Sequence, residues 1–90
     1  MTTMIVRFRV REFERWKAVF DSVAKQREEH GIVDASVHRN VEDRDMIVTI
    51  LEARSLDVAK SWGNSDALRA AMARAGVEDI VEVEYLEDVE

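Results

Sequence analysis

Between Met4 and Val23 the hydrophobic period changes once, and that change confines the chain to folds in which a strand runs directly into a helix. Val6, Phe8 and Val10 alternate with Arg7 and Arg9, as in a strand with one apolar face. Phe13, Trp16, Phe20 and Val23 then recur at spacings of three and four, which draws one apolar stripe along a helix. Glu12 and Glu14 place negative charge in the first turn, where it suits the helix dipole. No Ser, Thr, Asp or Asn precedes the stripe, so the helix starts without a side-chain cap. His30-Gly31 provides the stop, since glycine tolerates the left-handed geometry that follows a last turn.

Ile32 to Asn40 reads as a second strand, with Val33, Ala35 and Val37 opposite Asp34, Ser36 and His38. The polar turn Glu42 to Asp45 leads into a third strand, Met46 to Ala53, apolar on both faces apart from Thr49 and Glu52. Ser55 can cap a second helix, which Gly63-Asn64-Ser65 interrupts after Trp62. The continuation buries Leu68, Ala71, Met72 and Ala75 and stops at Gly76. From Asp79 to Val89 the alternation returns, with Val81, Val83 and Tyr85 opposing Glu82 and Glu84.

The order β-α-β-β-α-β with right-handed crossovers predicts an α+β, ferredoxin-like domain spanning residues 1–90. Its four-stranded antiparallel sheet has the order 4-1-3-2 and carries both helices on one face.

The other sheet face then has no helical cover. It is expected to carry Arg7 and Arg9 beside Glu82 and Glu84, together with Asp34, Ser36 and His38. A third strand apolar on both sides needs cover on both sides. A chain of 90 residues without cysteine has neither a large core nor disulfides to spare. Both observations favour a homodimer that stacks open face on open face and encloses a cavity.

Composition removes several function classes. A net charge of −6 argues against a nucleic-acid-binding face. No apolar run approaches the roughly 20 residues of a membrane helix, and no signal peptide is evident, so a cytoplasmic protein is expected. The absence of cysteine removes thiolate chemistry, and two histidines at unrelated positions make no metal site. No glycine-rich phosphate loop is present, and no cofactor is implied.

Four stretches carry a resemblance: Val10 to Asp21, Arg39-Asn40, Ser55 to Ala59, and Leu68 to Val77. Together they resemble the small dimeric α/β-barrel proteins of bacteria grouped with antibiotic-biosynthesis monooxygenases, often labelled cyclases. The resemblance spans nearly the whole chain. It implies a homodimer acting on a small hydrophobic or aromatic metabolite by cofactor-free oxygenation, cyclisation or isomerisation. The alternative is a non-catalytic homodimeric ligand-binding or protein-interaction module. Monooxygenases of this type often place a histidine in the second helix before a Ser-led turn, where this chain has Trp62.

The candidate catalytic residues are His38, for proton transfer near neutral pH, and Arg7 and Arg9, for stabilising an anion. Ser36, Asp34, Thr49 and Trp62 are the candidate ligand contacts. Asp34, Ser36 and His38 form no triad, because side chains alternating along one strand point in parallel. Each candidate also has a plain structural use: His38 paired with a carboxylate, the arginines in cross-strand ion pairs, Trp62 in the core.

Overall fold

In the computed structural model, which describes residues 1–90, β1 (Thr2–Val10) is an inner strand. It pairs antiparallel with β3 (Met46–Ala53) on one side and β4 (Val77–Glu87) on the other. β2 (Ile32–Arg39) completes the sheet against β3, giving the order β2-β3-β1-β4. This is the ferredoxin-like arrangement the sequence predicts.

The first helical arm is divided. α1 (Phe13–Ser22) ends at Val23, and α2 (Ala24–Glu29) follows at once. As the sequence implies, Glu12 precedes α1 without a side-chain cap. The second arm comprises α3 (Leu56–Gly63) and α4 (Asp66–Ala75). Ser55 Oγ accepts from Val58 N at 3.2 Å, and Ser65 Oγ accepts from Leu68 N at 3.1 Å, so each segment has its own N-cap.

The helices cover the sheet face that carries Met4, Phe8 and Val10 of β1 with Ile47, Thr49, Leu51 and Ala53 of β3. The two faces of β3 are thereby distinguished: Met46, Val48 and Ile50 lie on the open face. Two bulges alter the expected pattern. In β2 the register shifts between Ile32 and Asp34, so Ile32 enters the core and Val33 is 45% exposed. In β4 a shift opposite Arg7 and Phe8 pairs Ile80 with Phe8, and Val81 becomes the extra, 51% exposed residue.

Gly31 joins α2 to β2 at φ 97°, and Gly76 joins α4 to β4 at φ 74°. A Cβ on Gly31 would stand 2.9 Å from Val58 Cγ1, whereas one on Gly76 would meet only Arg11 Cβ at 3.6 Å. Gly76→Ala therefore carries backbone strain alone, about 1 kcal/mol, and Gly31→Ala adds a clash with a stiff side chain for a total of about 2–3 kcal/mol. Urea unfolding of the two variants should reproduce that order.

Candidate ligand-binding chamber

Helix packing against the sheet leaves a cavity of about 80 Å³ inside the protomer. That volume accommodates more than a single water. Of its 17 lining residues 15 are hydrophobic, contributed by β1, β3, β4 and the helices. Trp16 and Trp62 both border it. Trp16 belongs to an aromatic cluster, with ring centroids 5.3 Å from Phe8, 6.0 Å from Phe13 and 5.0 Å from Phe20. Trp62 is 1% exposed and meets His30 edge to face at 5.1 Å. His30 Nδ1 lies 3.1 Å from Gln26 O, within the helix turn that carries it.

The two polar residues of the lining are Thr49 and Arg27. Thr49 lies on the helix-facing side of β3 and is buried. Arg27 continues the α1 stripe into α2, four residues beyond Val23, and is only 8% exposed. Its Nη1 donates to Phe20 O at 2.6 Å, and its guanidinium carbon lies 3.7 Å from the Phe20 ring centroid. It forms none of the four salt bridges of the chain. Burial lowers its pKa from the ordinary arginine value, opposed only by the more distant charge of Asp21. Arg27 also borders a second, more open groove of about 370 Å³ that runs between α2 and the edge strand β2.

The sequence-predicted residues divide between the two faces of the sheet. Thr49 and Trp62 border the chamber. Arg7, Arg9, Asp34, Ser36 and His38 lie on the open face, away from it. His38 Nε2 is 3.0 Å from Ser36 Oγ, while an Asp34 carboxylate oxygen accepts from Ala35 N at 2.9 Å, so the three side chains do not converge. Arg7 faces Glu82 at 3.9 Å, as alternation implies. The β4 bulge sets Arg9 opposite Asp79, and Arg9 pairs with Asp43 of the β2–β3 turn instead. The hydrogen bond from Arg9 to Asp43 raises its pKa further and fixes the positive charge. At one end of this face the Thr3 hydroxyl stands between Glu52 (2.5 Å) and Asp88 (2.6 Å). The Thr3 hydrogen bond holds Asp88 below the usual carboxylate pKa.

The chamber lies between sheet and helices of one protomer, on the side opposite to the cavity expected from stacked open faces. Arg27 is the polar group sequence reasoning missed. Its signal is positional, since Phe13, Trp16, Phe20, Val23 and Arg27 form one series at alternating spacings of three and four.

No family model matches the chain, and no curated protein sequence does. Solved structures do. A candidate antibiotic biosynthesis monooxygenase from Bordetella bronchiseptica superposes with a TM-score of 0.81 at 12% identity, over 99% of this chain and 97% of its own. SnoaB from Streptomyces nogalater, described as a cofactor-independent oxygenase, gives 0.78 at 17% identity, over 99% and 93%. A candidate antibiotic biosynthesis monooxygenase from Caulobacter crescentus gives 0.80 at 21% identity, over 99% and 90%. Identities this low speak for the backbone alone: over almost its entire length, the chain has the fold of the antibiotic biosynthesis monooxygenase-like structures, as the sequence resemblance implies.

Proposed function

We propose that the chain works as a homodimer in which each protomer takes a small hydrophobic or aromatic metabolite into its chamber. There it promotes cofactor-free oxygenation, cyclisation or isomerisation. The observation that carries this reading is the lining of the chamber, apolar with two polar groups as in small-molecule sites; at about 80 Å³ and partly open, it suits a ligand of at most one ring that extends beyond it. The fold shared with SnoaB supports the oxygenase branch. In that branch an activated methylene becomes a carbonyl, one oxygen of O2 entering the product and the other leaving as water with both methylene hydrogens.

The open face supports the homodimer. Ile5, Met46, Val48 and Ile50 lie there at its centre without helical cover, flanked by charged residues. No helix of the chain is long and apolar enough to cross a membrane.

A second reading is a ligand-binding dimer without turnover. It is favoured by the lining, which holds no His, Asp or Glu to act as a general base. His38, Arg7 and Arg9 can supply acid–base or anion-stabilising groups only to a ligand held between two stacked sheets.

Oxygen uptake and product formation with monocyclic phenols and hydroquinones, alongside quenching of the two chamber tryptophans, test these alternatives. Quenching with turnover supports the enzyme, and quenching alone the binding module. Neither response with any probe removes the chamber as a site. With chemistry in the chamber, His38→Ala and Arg7→Ala separately change turnover by less than about twofold, the range of surface substitutions. A tenfold loss in either moves the chemistry to the sheet–sheet interface.

A further inference from the structure

Arg27 is an unusual group to find in such a chamber. Arginine is rarely buried unless it is paired, because its charge loses water and needs an opposite charge in return. Here the residue is 8% exposed, and no carboxylate lies within ion-pairing distance. One hydrogen bond is made, to the carbonyl of Phe20. A guanidinium has five N–H donors in a planar fork, so most of them have no protein partner, and those not bonded to Phe20 O reach solvent. The Phe20 ring beneath it, 3.7 Å from the guanidinium carbon, holds the fork flat and restricts its orientation. Arg27 borders both the chamber and the outer groove, whose other charged residues are Glu28, Asp34 and Arg54.

We infer that Arg27 recognises an anionic oxygen of the ligand, so the chamber selects a small aromatic or branched aliphatic acid, phenolate or enolate. The apolar body lies among Trp16, Trp62 and their neighbours, and the oxygen lies against the guanidinium. This rests on the chamber being the binding site, and it narrows the ligand from hydrophobic to hydrophobic and acidic. An incoming anion supplies the counter-charge that the protein does not, and the charge-assisted bond discriminates between charged and neutral ligands. Burial, which takes water from the guanidinium, lowers the pKa of Arg27, and only the charge of Asp21 opposes it.

A structural role, in which Arg27 only ties α2 to the last turn of α1, makes no distinction between charged and neutral ligands. Benzoate and benzamide have nearly the same shape and differ in charge, so they separate the two roles. Each is titrated into the full chain and into Arg27→Lys and Arg27→Met, followed by tryptophan fluorescence and calorimetry, with circular dichroism to confirm folding. The expected result is benzoate bound at least about tenfold tighter than benzamide by wild type, as a charge-assisted bond implies. Arg27→Lys retains part of that preference. Arg27→Met loses it, its affinities for benzoate and benzamide becoming equal.

Equal affinities in wild type overturn the inference but leave the chamber standing as a neutral-ligand site. So does a preference that survives in Arg27→Met. If neither compound binds wild type, the chamber reading and the inference both fall. Should Arg27→Met not fold, the wild-type ratio and the Lys variant decide.

Discussion

Replacing Trp62 by alanine lowers the free energy of unfolding by about 3–5 kcal/mol, the range for removing a fully buried indole. Trp62 packs in one cluster with Met4, Ile32, Leu51, Ala53 and Ala59, drawn from β1, β2, β3 and its own helix. Its loss therefore loosens the contact of α3 with three strands together. The space it leaves joins a chamber that already exists, so the surroundings have little reason to collapse into it. A domain this small has a total stability of only about 5–10 kcal/mol, and the midpoint of thermal unfolding should fall by roughly 15–30 °C. Trp62→Phe keeps an aromatic wall and should lose less than half as much. Calorimetry on the two variants checks both figures, and a loss below 1 kcal/mol for the alanine variant would show that the indole is not packed as described. The same substitution should widen ligand acceptance, so a bulkier aromatic that wild type excludes becomes a measurable binder of the alanine variant if that variant is kept cold enough to fold.

The sheet was legible in the sequence because alternation is a local signal. Val6, Phe8 and Val10 could point only one way once Arg7 and Arg9 pointed the other, and Ser55, Ser65 and Gly76 bound the second arm as their types require. The bulges were not legible. Val33 and Val81 extend a perfect alternation on paper, and only the pairing of β2 with β3 and of β4 with β1 gives Ile32 the core position and sets Ile80, still 46% exposed, opposite Phe8 at the rim of the chamber.

The chamber was hidden for a different reason. Trp16, Phe20, Leu68 and Met72 have the spacing of ordinary core, and no periodicity distinguishes side chains that fill a space from those that surround one. Arg27 was hidden by its neighbours, since Lys25 to Glu29 has the composition of a solvated face. Only its place at the end of the apolar stripe sets it apart. The double-sided character of strand three pointed to a covered open face, and it also drew attention away from the helix side, where the partly open chamber lies.

Val48→Asp combined with Ile50→Asp should dissociate the proposed homodimer into monomers without unfolding them. The row across the open face at Ile50 reads Ser36, Ile50, Ile5, Glu84, and the row at Val48 reads His38, Val48, Arg7, Glu82. Apolar side chains thus hold both middle places of the Ile50 row and, beside Arg7, one of the Val48 row, a small apolar centre ringed by polar groups as in an interface with a wet rim. Both substituted side chains point away from the helices, so in a free protomer the new carboxylates meet water. Between stacked sheets the carboxylate at 50 has only Ile5 and Ser36 as row neighbours and loses its water. An unpaired buried charge costs several kcal/mol, and each 1.4 kcal/mol is tenfold in affinity, so dissociation should become at least about a hundredfold easier.

Ile47→Asp is the matched control. It lies one residue from Val48, on the opposite face, and is fully buried against Phe8 and Trp16. Period-two geometry therefore predicts unfolding from Ile47→Asp and dissociation from its neighbour. Sedimentation and circular dichroism at micromolar concentration distinguish the two. If the wild-type chain sediments as a monomer, or if the double variant still dimerises, the open face is not the interface, and Arg7, Arg9 and His38 remain surface residues.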